Sequence, residues 1–183
     1  MSTVQDHPGI ETIAAETNGV VDGIAVREII REVFRNPDHG TPDNISKAGC
    51  LALALRSNEA GGLAKGHLVW NLWRQNFPPA NVTFGTTSKI NCPNFSGLRI
   101  GELNFSGFDL NRADFSNCIF QSTGQFSHSR LGAADFRSAK FQQEGFFNYA
   151  EISSSKFDDV DFSYGASFRG ATFTDATSFT GMC

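Results

Sequence analysis

Asp158, Asp159 and Asp161 are the densest set of side chains in this 183-residue chain that could hold a cation. A calcium site needs roughly six to eight converging oxygens. Alternating residues of one extended strand point to opposite sides, so the run reads as a solvated acidic edge. The histidines offer no better chemistry: His39 falls in a loop, His67 on a helix, and His128 on an outward position without a partner. Cys50, Cys92, Cys118 and Cys183 are scattered, with no CxxC or His–Cys pairing, so neither a zinc site nor a disulfide framework is indicated. No Ser-His-Asp set, phosphate loop or metal constellation is present, and no catalytic residue, cofactor or metal is expected. What remains is aromatic. Phe146, Tyr149 and Tyr164 form a candidate protein-binding patch, because exposed aromatic side chains on a rigid surface are favoured interface anchors. The competing reading is that Phe146 rather than Phe147 points inward, or that Phe146 folds over a neighbouring glycine.

The elements that would position this patch follow an unusual period. Large apolar residues stand at 84, 90, 95, 100, 105, 110, 115, 120, 126, 131, 136, 141, 147, 152, 157, 162, 168, 173 and 179. Of these 19 centres 14 are Phe and the rest Ile or Leu, and a small residue often stands two places earlier, as at Ala113, Cys118, Ala134 and Ala139. Neither a helical period near 3.6 nor plain alternation gives a step of five. Self-similarity at a fixed step is the mark of a solenoid, whose coils bury their apolar interior only by stacking.

Units such as RADFS (112–116), AADFR (133–137), RSAKF (137–141) and RGATF (169–173) resemble the pentapeptide-repeat family over roughly residues 82–183. The resemblance implies a mainly β fold, a right-handed quadrilateral β-helix of nearly five coils, with the centre and the small residue before it pointing inward. Dealt in turn to four faces, the centres give two walls made only of Phe. One is Phe84, Phe105, Phe126, Phe147 and Phe168; the opposite one is Phe95, Phe115, Phe136, Phe157 and Phe179. A third is mainly aliphatic (Ile90, Leu110, Leu131, Ile152, Phe173), and the fourth carries Ile100, Phe120, Phe141 and Phe162. Six-residue steps at 120–126, 141–147 and 162–168 recur 21 residues apart. They predict an extra residue bulging at one corner, where Gly124, Gly145 and Gly165 suit the backbone demand.

Upstream, residues 1–20 read as a flexible tail and 21–80 as a helical cap region, leaving 81–183 for the β-helix. Asp22 can cap a helix bearing Val26, Ile29, Ile30, Val33 and Phe34. Asp43 can cap a second, with a stripe of Ile45, Ala48, Leu51, Ala52 and Leu55. A third from about Ala60 carries Leu63, Trp70, Trp73 and Phe77 and stops before Pro78-Pro79. The two Trp read as core. Bulky inner positions at Leu98, Leu103 and Phe108 suit a wider opening that these helices plug.

The resemblance also suggests a protein that protects type II topoisomerases by mimicking duplex DNA. The charges depart from that pattern: residues 82–183 hold 8 basic and 10 acidic side chains. Outward positions on the aliphatic face read Lys89, Asp109, Arg130, Glu151 and Thr172, alternating in sign so that neighbours can pair. The same near-neutral exterior argues against direct nucleic-acid binding. No apolar run approaches the roughly 18 residues of a membrane span, and the N-terminus lacks the features of a secretory signal. The setting expected is cytoplasmic, or a host cell after injection by a bacterium, and the N-x-S/T triplets at Asn81, Asn94 and Asn104 are chance matches. The expected function is a non-enzymatic scaffold for an unidentified protein, with self-association through the C-terminal end. The alternatives are the DNA mimic and the scaffold region of a larger bacterial effector.

Overall fold

The computed structural model describes residues 23–78 and 92–183. The expected tail, the Asp22 cap, Lys89 and the first two centres, Phe84 and Ile90, lie outside the described residues. The chain divides into two compact units between Cys92 and Pro93.

The first unit is helical. Helix α1 (Gly23–Phe34) buries Val26, Ile30, Val33 and Phe34, and the His39 ring donates from Nδ1 to the Val33 carbonyl at 2.6 Å just beyond its end. A short hairpin, β1 (Gly40–Thr41) with β2 (Asn44–Ile45), turns at Pro42-Asp43. The single helix α2 (Lys47–Asn76) follows, where two were expected. Its N-cap is Ser46, whose hydroxyl accepts from the Gly49 N–H, whereas the Asp43 carboxylate accepts from Thr41. The predicted stripe is therefore rotated: Cys50, Leu53, Ala54 and Ser57 are buried and Leu55 is exposed. Trp70 and Trp73 are fully buried, edge to face at 5.0 Å, and Trp73 donates its ring N–H to the Pro42 carbonyl. Arg56 reaches back from α2 to Glu32 of α1 at 2.7 Å.

The second unit is a β-helix of very short parallel strands: β3 (Arg99–Ile100), β4 (Ile119–Phe120), β5 (Gly124–Gln125), β6 (Lys140–Phe141), β7 (Gly145–Phe146), β8 (Glu151–Ser153), β9 (Ala166–Ser167) and β10 (Thr172–Thr174). All their pairings are parallel and join successive coils, and single-residue bridges extend the rows. The register counts the coil. Ile100 pairs with Phe120, 20 residues on, but Asn104 pairs with Gln125 and every later row is offset by 21 until Lys156 meets Ser178. The extra residue thus enters between Phe120 and Phe126, at the corner the six-residue steps mark.

The interior is a lattice of rings. Phe95, Phe115, Phe136, Phe157 and Phe179 stack in one column, and Phe105, Phe126, Phe147 and Phe168 in the other, with centroids 4.8–5.2 Å apart and planes within 14° of parallel. Between columns the rings meet edge to face, as Phe126 and Phe136 do at 5.3 Å and 86°. This is the arrangement the ring quadrupole favours. Each coil is tied in both directions: the Phe115 N–H donates forward to Asp135, and the Asp114 N–H donates back to Pro93.

The glycines beside the wide corner have a different reason from the one expected. A Cβ on Gly124 would run into the Phe141 ring, and one on Gly145 would crowd Phe162 and Phe147. Only Gly165 has the left-handed backbone, at φ 95°.

Candidate functional site

The small residue two before a centre turns inward, the residue just before it turns outward, and the chain then rounds a corner. Phe147 is fully buried, so the side chain of Phe146 belongs to the exterior, where it is half-buried. It sits in an outward row running Asn104, Gln125, Phe146, Ser167 from coil to coil. Phe146 takes no part in the interior ring columns.

Tyr149 stands at the corner that follows Phe147, with left-handed backbone (φ 58°) and 50% exposure. Its ring stacks on His128 of the previous coil at 5.1 Å and 12°. The other side faces Gly170, where an added Cβ would lie 2.6 Å from the Tyr149 ring. Both ring faces are therefore occupied, and what Tyr149 offers outward is its hydroxyl edge. Tyr164, 67% exposed, stands one coil further on at the wide corner that leads into the Phe146 row.

The acidic run is absorbed by structure. Asp158 accepts from Ser178 and from both the N–H and the hydroxyl of Thr180, which together hold its carboxyl below the usual range. Asp161 accepts from Lys140 at 2.7 Å and from Ser163, chiefly the former, which holds its pKa down to about 2. Asp159 occupies a left-handed corner. Among the described residues no group of three His, Cys, Asp or Glu could hold a metal ion. Cys118 is fully buried, its thiol directed to the Phe95 carbonyl at 2.9 Å.

One use of polar residues was not read from the sequence. Asn94, Asn104, Asp109, Asp114, Asp135 and Asp161 each accept, through the side-chain oxygen, the N–H two residues on. These Asx turns account for the recurring N-F-S and D-F-S strings, including the triplets at Asn94 and Asn104. The signal was there, in the constant place of Asn or Asp just before a centre.

Charges also pair across coils. Arg130 meets Asp109 at 3.0 Å on the aliphatic face, and Lys140 meets Asp161 at 2.7 Å on the opposite face. A continuous negative stripe is absent from the described faces. No described helix is long and apolar enough to cross a membrane.

Short parallel rows, a centre every five or six residues and a ring-filled interior define a solenoid built from five-residue units. Residues 101–137 match the family model described as pentapeptide repeats (8 copies), so this segment is built of pentapeptide repeats. Among solved structures the chain is similar to a pentapeptide repeat protein from the Arabidopsis thaliana thylakoid lumen, with 28% identity over 43% of this chain and a TM-score of 0.20. The similarity spans 62% of that protein's length. No curated protein matches the chain.

Proposed function

We propose that this protein is a non-enzymatic binding scaffold whose contact surface for a protein partner is the side carrying Phe146, Tyr149 and Tyr164. One observation carries the reading. Large aromatic side chains, Tyr164 at 67% exposure and Tyr149 at 50%, are mounted on a wall whose backbone is bonded from coil to coil. Anchors held in place this way lose little conformational freedom on binding. The test is affinity capture from lysate by the wild-type chain and by a Phe146→Ala/Tyr164→Ala variant with the same melting temperature. A partner retained by the first and lost by the second is expected, and identical capture by both would count against the reading.

Self-association through the C-terminal coil is a second reading, favoured by Phe173 and Met182 at 45% and 41% exposure. Sedimentation at rising concentration tests it, and a monomer throughout would remove it. The DNA-mimic alternative draws no support from a surface on which Asp109 and Asp161 pair with basic side chains of the neighbouring coils. Gyrase supercoiling unchanged in excess protein is the expected result.

A further inference from the structure

A groove of about 460 Å³ runs along the aliphatic face between two outward rows. One wall is the row before the centres, Arg130, Glu151 and Thr172; the other is the row after them, Gly132, Ser153 and Thr174. Gly132 keeps it open. The Asn111 side chain bends onto the Gly132 N–H at 2.7 Å and takes the place of a Cβ, which would lie 2.6 Å from its oxygen. The volume is that of a small-ligand site.

The polar groups of the groove are unequally engaged. Arg130 lies between Asp109 and Glu151 in its row, and its guanidinium turns to Asp109 at 3.0 Å. The Glu151 carboxylate has no ion pair among the described residues, and the Thr172 and Thr174 hydroxyls have no hydrogen-bond partner there. Ser153 donates to Asp175 at 2.8 Å, and Asp175 also lacks an ion pair among the described residues. With Arg130 answered by Asp109, the groove is left with two carboxylates that no described cation balances.

That imbalance selects the ligand. An anion would meet Glu151 while the neighbouring guanidinium is already taken. A neutral guest would leave both carboxylates unanswered. A bare metal ion would find one carboxylate and three hydroxyls on the walls, where calcium takes roughly six to eight oxygens. An organic cation remains, and the walls decide its shape. The two rows stand two residues apart on each strand, about 6.6 Å, with Glu151 on one side and Ser153 and Thr174 on the other. An ammonium group is a compact point charge. A guanidinium is a flat fork whose N–H groups bond a carboxylate in pairs while others reach acceptors on a second edge. It is also the more weakly hydrated of the two, so it gives up less on leaving water. The groove extends past the head group over Gly132 and Ile152, where a methylene stem can lie.

We infer that this groove on the aliphatic face is a binding site for a guanidinium group on an aliphatic stem. Two sources carry that chemistry, an arginine side chain of another protein and the free amino acid. The probes are N-acetyl-arginine methylamide for the first and arginine for the second, titrated into the isotope-labelled full chain and followed by amide shifts in NMR. The matched lysine and citrulline derivatives are the controls. Saturable shifts at Glu151, Ser153, Thr172 and Thr174 are expected, weakening with salt because the contact is ionic, and the lysine and citrulline derivatives should bind more weakly. Binding of either arginine probe supports the site, and the tighter one identifies the source. Glu151→Gln should weaken binding on the order of tenfold, as loss of a hydrogen-bonded charge does, with unchanged melting. Asp161→Asn on the opposite face should leave it intact. Shifts that fail to saturate, equal binding of the lysine or citrulline derivative, or a Glu151→Gln variant that binds as wild type would overturn the inference. Lysate capture that depends on Phe146 and Tyr164 is untouched by these outcomes, so the groove and the scaffold reading fail separately.

Discussion

Gly124 and Gly101 occupy the same chain type and opposite surroundings. A side chain on Gly124 would enter the Phe141 ring, whereas one on Gly101 would meet nothing within 4 Å. Gly124→Ala should cost about 1–3 kcal/mol, as overpacking does. Gly101→Ala should be neutral or stabilising by roughly 0.4–1 kcal/mol, through the unfolded chain. Denaturant melts of the two variants check both, and equal effects would contradict the packing. The sequence marked Gly124 but not its reason. Small-before-centre spacing reports that a side chain must be small, and whether space or φ demands it depends on a ring 17 positions away. The same limit applies to Tyr149. Its exposure follows from spacing, but the loss of both ring faces to His128 and Gly170 needs the neighbouring coils.

Among the elements, the row containing Lys140 and Asp161 gives a pH signature. The Asp161 pKa is lowered from 3.8 to about 2 in the folded chain, mainly by Lys140 and then by Ser163. A depressed carboxyl stabilises the fold above its unfolded pKa, and that contribution disappears as pH falls through the folded value. Asp161→Asn should therefore melt lower than wild type at neutral pH, with the gap closing between about pH 4 and pH 2. The effect should be modest, because half of the Lys140 side chain is open to solvent. A gap unchanged at low pH would show that the carboxylate charge is not the cause. Element boundaries in the helical unit were only partly legible. The α1 stripe was clear from its 3.6 period, but Asp43 looked like a cap because Asx residues serve caps and turns alike. Only the hairpin shows that Asp43 holds Thr41 and that Ser46 begins the helix.

For the whole molecule, each coil touches only its neighbours, so coils should be removable as units. Deleting the 21 residues 137–157 joins Phe136 to Asp158 in the register that Phe157 had. The shortened chain should keep a cooperative melt and β-rich circular dichroism. Deleting 137–155 instead leaves Phe157 two residues after Phe136 and Phe162 seven after it, spacings that neither a five- nor a six-residue step provides, and the product should aggregate or unfold. If both deletions behave alike, the 21-residue register is not what organises the tube. The tube itself was readable because nineteen centres repeat one simple rule. Its use was not, since outward positions are free of that rule.

The ring columns have a mechanical consequence. Flat rings in contact would settle at about 3.5–4.0 Å between carbon atoms, yet their centroids stand 4.8–5.2 Å apart. Strand spacing, about 4.8 Å, sets the pitch, and the rings accommodate it by sliding sideways while staying parallel. A column can therefore change from Phe to Leu or Ile, as Leu110, Leu131, Ile152 and Phe173 do, without altering the rise of the spring that carries it.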